Sequence, residues 1–431
     1  MAALGVSVGA KNAVVKYSAM VFVAVQAEIN FMNLLSGKAP TMGDAASRLR
    51  GQTNPNTPIV KIMDLEAGAG DKVNIDLINA PHGKPIMGDR GINGKGMSMD
   101  MDVAGIKINQ SRGLVGTKGR MSQKRTVHNL REVIRPGLTG WAGRLESQRC
   151  LIQLAGARGS ATSRFWEVPL ATDEDFNEIM TNPVMAPTYN RRFLASPTAT
   201  TVANLGTGDI LTLGDIERVA LQLDESEYPL GPVVYDEDPY GWENPLAIAF
   251  VTKRQWEYMK AAAGSLWQSA VTAAVKRFDG TKPHPLFTGD CILWNGVLVK
   301  PMTRYSIRFN PSDTITEATS ANTFTTTTAQ VPSATNFNVD RAIIVGSQAL
   351  GKAYGNLGQG TGSYFWNEEL TDHKARVEVS VAMMEGTSKI TFNIQTNNGP
   401  VATDLGVAVI DSYAPPINST QGVSALALTK R

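Results

Sequence analysis

The sequence predicts an α+β protein built from an N-terminal arm, an extended β arm, one long helix and a mixed α/β body. Three observations predict it. One apolar stripe of helical period runs between Ser122 and Gly159. The strands before it alternate apolar and polar residues, so each has a solvated face. The chain after it intersperses short apolar strands with amphipathic helices. With 431 residues, two or three domains can share a sizeable core.

Residues 1–56 read as the N-terminal arm. The apolar run Ala19–Val25 is far shorter than the roughly 20 residues a membrane span needs, and Gln26, Glu28 and Asn30 follow at once. A secretory signal is an alternative, because Lys11 and Lys16 precede the run and Val-Gln-Ala resembles a cleavage site. The main reading is a helix docking on a partner through Phe22, Ile29, Met32 and Leu35, followed by a polar linker over residues 44–58.

Residues 57–117 read as a two-to-three-stranded arm: PIVKIMDL, KVNIDLINA and MSMDMDVAGIKINQS, around a glycine-rich tip. Lys84, Asp89, Arg90 and Lys95 are the charged residues of that tip. Its glycines are no phosphate loop. The segment Gly68 to Lys72 lacks both the spacing and the Ser/Thr after the lysine.

Residues 118–159 read as the long helix. Val127, Leu130, Ile134, Leu138, Trp141, Leu145 and Ile152 fall on one face, with Gln148 the gap. Ser122 is the expected cap, and Gly156 or Gly159 the expected end. Some 34 residues at 1.5 Å each would span about 50 Å. Pro136, with Gly137, Gly140 and Gly143 behind it, predicts a kinked helix or two helices end to end, and the stripe keeping its phase past the proline favours the kink. Lys118, Arg120, Lys124 and Arg125 crowd the front of this segment. That pattern suits either a solvated helix face or a surface meeting phosphate or an acidic neighbour.

Residues 160–370 read as the mixed body. Helices are expected at Asp173–Met180, at Leu213–Leu223 and from Lys253 to Lys276, the last capped by Thr252. Asn295-Gly296 marks a hairpin. The Thr-rich tract 311–336 reads as a surface loop, and AIIVGSQALGKAYG as strand, turn and helix. Residues 371–431 close the chain with longer strands and a tail.

The composition excludes several classes. Net charge is +2, so the chain as a whole is no polycation. Cys150 and Cys291 make no disulfide framework and read as buried thiols. The four histidines lack metal-ligand spacing, and the dense acids of residues 224–243 lack that of a calcium loop. No nucleophile elbow or dinucleotide fingerprint occurs, so neither an enzyme nor a cofactor is expected. Charge is uneven. Residues 167–243 hold fifteen acids against Arg191, Arg192 and Arg218, while residues 1–63 are basic. Such a chain suits a protein with distinct inner and outer faces.

Seven phrases stand in order across residues 57–413: DLEAGAGDKVNIDL, GKPIMGDRGINGKGMSM, KGRMSQKRTVHNLRE, LAGARG, FTGDCILWNGVLV, AIIVGSQALGKAYG and DLGVAVIDSYA. With this order of parts, the chain resembles the major capsid proteins of tailed phages, which have the Hong-Kong-97-like fold. It is most similar to the branch typified by the phage N-four capsid protein. The resemblance implies that residues 57–117 are the E-loop reaching over a neighbour. Residues 118–159 would hold the spine helix of a peripheral domain. Residues 160–370 would be the axial domain, with 311–336 as an insertion, and 371–431 the return strands and tail. It implies pentamers and hexamers in an icosahedral shell around double-stranded DNA, assembled in the host cytoplasm and located in the virion, with no membrane. A portal protein and a possible decoration or cement protein are implied partners. A separate scaffolding protein is implied too, because no long charged N-terminal extension is present. Lys11, Lys16, Lys118, Arg120, Lys124 and Arg125 are the expected DNA-facing residues. Lys84, Asp89, Arg90 and Lys95 are the expected intersubunit tip. Lys–Asn cross-linking is not expected. The competing readings are an α/β hydrolase-type enzyme using the acidic middle and a secreted β-rich adhesin.

Overall fold

The computed structural model describes residue 35 and residues 56–62, 70–78, 84–96, 101–125, 130–226, 228–234, 246–278, 290–302, 304–320, 325–357, 363–373, 375–396 and 399–420. Lys11, Lys16, Phe22, Ile29, Met32 and much of the acidic run 224–243 lie outside the described residues. Leu35, expected to anchor a partner, is instead buried in the chain's own core.

Two larger sheets organise the molecule. In the first, the 14-residue strand Arg376–Lys389 is the centre. Asn109–Gly116 pairs along one side, and Tyr364–Thr371 and Leu350–Tyr354 pair along the other, all antiparallel. Ile59–Ile62 adds a parallel edge beside Leu350–Tyr354. The long helix packs on this sheet. Gly113 lies beneath the ring of Trp141, where any Cβ would fall within 3 Å of the indole.

In the second sheet the order is Arg192–Leu194, Val407–Tyr413, Val339–Val345, Ala247–Thr252, Val297–Met302 and Ile292–Trp294, with Arg308–Phe309 also pairing with Val339–Val345. The helices Leu213–Asp224, Lys253–Ala263 and Leu266–Phe278 contribute to an apolar cluster with its strands. Thus two strands from the 160–370 segment, 350–354 and 364–371, lie in the sheet under the long helix. One strand from the 371–431 segment, Val407–Tyr413, runs inside the other sheet.

Several expectations hold locally. Thr252 closes the expected cap as a capping box with Gln255; Thr212, of which sequence set no such expectation, closes another with Asp215. Asn295 and Gly296 both have positive φ, 44° and 76°, as a tight two-residue hairpin requires. Both cysteines are buried.

Other expectations are corrected. The long helix runs from Leu130 to Ala155, about 39 Å, rather than from Ser122. Ser122 sits inside a separate short helix, Arg120–Lys124, and it is the side-chain oxygen of Gln123 that accepts from the Leu130 N–H at 3.1 Å. Pro136 does not divide this helix in two, in keeping with the unbroken phase of its stripe. Pro136 and Gly137 lie on its exposed front, so the missing N–H falls at the solvated end. The helix expected from Lys253 to Lys276 is two helices, because Gly264 takes φ 53° between them, and Leu266 is exposed. The 311–336 tract forms a hairpin, Thr314–Ala318 with Thr326–Gln330, rather than a loose loop. Buried Glu317 pins it by pairing with Arg192 at 2.9 Å and accepting from the Val202 N–H. Leu350–Tyr354 is a strand, not a helix, since paired strands on both sides satisfy its backbone.

Candidate assembly and nucleic-acid-facing surfaces

The arm is two-stranded. Lys72–Ile78 pairs antiparallel with Met101–Lys107, while the first expected arm strand, Ile59–Ile62, stays in the body. Alternation explains the arm's attachment: Val73, Ile75 and Ile106 turn inward onto Ala353, Ile390 and Phe392, while Lys72 and Asn74 face solvent. A Cβ at Gly351 would collide with Ile106 and Ile75, so glycine is what lets the arm base lie flat on the body. Asn182 clamps the base through both backbone groups of Lys107, at 2.9 Å each. Farther out, Asp102 accepts from the backbone and side-chain N–H groups of Asn393.

The tip, residues 84–96, has no such support among the described residues. Gly88, Gly91, Gly94 and Gly96 have no atom within 4 Å of where a Cβ would stand. Lys84, Asp89, Arg90 and Lys95 are all exposed, and none makes a side-chain ion pair among the described residues. Met87 and Ile92 are each 71 % exposed. The structure therefore gathers the four expected tip residues on one protrusion, with two apolar side chains that sequence reading passed over. Their signal was available: two large apolar residues between glycines, with no helical or strand period to bury them.

The second surface lies at the front of the long helix. Lys118, Arg120, Lys124 and Arg125 are all exposed and make no side-chain ion pair among the described residues. Met121, between them, is exposed as well. Behind this front, residues 138–155 of the helix are nearly all buried. Sequence reading did not find what that burial encloses. Glu146 and Arg149 project from the helix onto Lys352 and Glu385 of the sheet, and all four are buried. Lys352 Nζ contacts Glu146 and lies 2.7 Å from Glu385, which also meets Arg149 at 3.2 Å. Tyr364 donates to Glu146 at 2.8 Å, and Arg149 donates to Ser111 at 2.6 Å. Burial pushes the Lys352 ammonium down to about 8 against the opposing pull of Glu385. Two acids and two bases balance one another, which is how a buried charge cluster is tolerated. No group of three or more potential metal ligands comes together among the described residues. Nor is any described helix long and apolar enough to cross a membrane.

An arm whose tip has no support among the described residues, a long helix packed on a five-stranded sheet and a second mixed sheet define a structural subunit of the Hong-Kong-97-like class. A family model described as phage capsid protein matches residues 5–416, and the chain belongs to that family. It is a major capsid protein and not an enzyme. Among solved structures, the capsid of Ralstonia phage GP4 is similar at 25 % identity, with a TM-score of 0.68 over 85 % of this chain and 90 % of that one. The capsid of cyanophage Pam1 shares the fold at 17 % identity and a TM-score of 0.56, over 88 % of this chain and 95 % of that one. The capsid of Helicobacter pylori bacteriophage KHP30 shares it at 10 % identity and a TM-score of 0.53, over 84 % and 88 %. No curated protein matches the sequence.

Proposed function

We propose that the chain forms pentamers and hexamers that close an icosahedral head around double-stranded DNA, assembled in the host cytoplasm. In this reading the arm within residues 57–117 is the E-loop. The long helix and its five-stranded sheet are the peripheral domain, and the seven-stranded sheet with its helices is the axial domain. A separate scaffolding protein, a portal protein and a decoration or cement protein are the partners it would meet. The phrases quoted above support kinship with the branch typified by the phage N-four capsid protein.

The observation that carries this reading is the arm tip, which exposes apolar and charged side chains and has no surface among the described residues to lie on. A two-stranded ribbon is marginal alone and gains stability by lying on something. Electron microscopy of the protein expressed with its neighbouring genes tests it. Wild-type material forms closed shells, while a deletion of residues 83–97 leaves a folded, soluble subunit that does not close. Normal particles from the deletion overturn the reading.

We propose further that Lys118, Arg120, Lys124 and Arg125, with Lys11 and Lys16, lie on the inner wall of the head. Their exposure, with no ion-pair partner among the described residues, supports this for the four described bases. Contact with the packaged phosphates would be sequence-independent.

A further inference from the structure

The buried charge cluster between the long helix and the five-stranded sheet holds the parts of a bond-forming site. Lys352 pairs with Thr387 across two antiparallel strands, and Glu385, two residues from Thr387, shares its face of the sheet. Glu146 reaches the same point from the helix. Lys352 Nζ contacts Glu146 Oε1 and lies 2.7 Å from Glu385 Oε2. None of the three residues is more than 1 % exposed, and Tyr354 and Tyr364 beside them are buried too. One amine nitrogen thus stands between two carboxylates in a site closed to water.

The two carboxylates are not equivalent. Arg149 donates to Glu385 Oε1 at 3.2 Å, leaving Oε2 turned to Nζ. Burial alone would raise the Glu385 carboxyl, but Lys352 and Arg149 hold it below the ordinary carboxylate range, so it stays ionised. Glu146 is met by hydroxyls instead. Tyr364 donates to its Oε2 at 2.8 Å and Tyr354 to its Oε1 at 3.4 Å. Such donors stabilise the charge that gathers on a carbonyl oxygen during acyl transfer. With burial bringing the Lys352 ammonium down to about 8, a share of free amine, the nucleophilic form, exists at neutral pH.

We propose that Lys352 and Glu146 condense into an amide within the chain, with Glu385 as the base. Nζ bonds to Cδ of Glu146, and the bond from Cδ to Oε1 breaks. The ammonium carries three protons and the amide keeps one. Glu385 takes the two that leave and passes them to the departing Oε1, so one water is released and Glu385 ends ionised as it began. Nothing is oxidised or reduced. Oε2 becomes the amide carbonyl and keeps the Tyr364 hydroxyl as its donor. The product replaces a buried ion pair by a neutral group, while Arg149 and Glu385 still balance each other. It ties helix to sheet across 206 positions of one chain and creates no multimer. A covalent closure of that span also restricts the unfolded chain.

Peptide mapping of the full chain, purified folded and then denatured, tests it. Trypsin cuts after Lys and Arg, so an unlinked chain yields residues 145–149 and 342–352 as separate peptides. The amide blocks the cut at Lys352. The wild type is expected to yield one branched species, residues 145–149 joined to 342–374, lighter than the sum of the two by one water. Lys352→Arg keeps the positive charge and is expected to yield no branched species. Glu385→Gln keeps both bond-forming side chains and is expected to lower the branched yield about tenfold or more. A wild-type chain that yields only the separate peptides overturns the proposal, whatever the variants do. A full branched yield from Glu385→Gln overturns the role of Glu385 as the base.

Discussion

Arg341 and Asp411 face each other across adjacent antiparallel strands, fully buried, and bond through two parallel contacts of 2.7 Å. The third guanidinium nitrogen donates to the carbonyl of Ala155, the last residue of the long helix, at 2.8 Å. One side chain thereby satisfies a carboxylate and a helix-end carbonyl that the helix itself leaves open. It also ties the helix on the first sheet to the centre of the second.

Removing one partner alone strands a buried charge. Arg341→Met or Asp411→Asn should each destabilise the unassembled subunit by roughly 3–5 kcal/mol, read from urea unfolding. Replacing both with apolar residues should recover much of that loss. A single-variant loss below about 1 kcal/mol would show that the pair is not holding the junction.

Lys118, Arg120, Lys124 and Arg125 changed together to Gln separate two roles for the basic front. If they face packaged phosphates, empty shells assemble normally and filled heads become less stable in a salt-dependent way. If they pair with acids of a neighbour, empty shells fail first. Particle yield before and after packaging, across a salt series, distinguishes these outcomes.

Boiled, denatured particles should run on a gel as one monomer band. Lys84 and Lys95 are the only lysines of the tip, and both are solvent-exposed in the free subunit rather than held in a dry site beside an asparagine and a carboxylate. A ladder of covalent multimers would contradict this.

Cys150 gives a pH signature. Burial pushes its thiol far above the ordinary range, with the nearby Glu385 carboxylate adding to the shift. The folded chain keeps this proton while the unfolded chain releases it above the ordinary thiol pKa of about 8.5. In that window the unfolded state binds fewer protons, so stability falls as pH rises. Cys150→Ala should therefore show a shallower alkaline loss of stability between about pH 8.5 and 10.5 than wild type. In the wild type, Cys150 should resist alkylation until the chain unfolds. Equal alkaline slopes in the two proteins, or rapid alkylation of the folded chain at Cys150, would refute it.

The sequence by itself determined the features that depend on neighbours along the chain. The apolar stripe announced the long helix, Gly156 its end with φ 63°, Thr252 its helix cap, and Asn295-Gly296 its hairpin. Alternation announced an arm with one solvated face, and charge gathered the four tip residues and the four basic residues in sequence before structure gathered them in space. Tertiary structure decided what depends on partners far away. Leu350–Tyr354 is a strand because Ile59–Ile62 and Glu385–Lys389 flank it, and local propensity carries no record of either. In sequence, Glu146, Arg149 and Lys352 look like the polar faces of two helices. They are buried because opposite charges meet from elements some 200 residues apart in sequence.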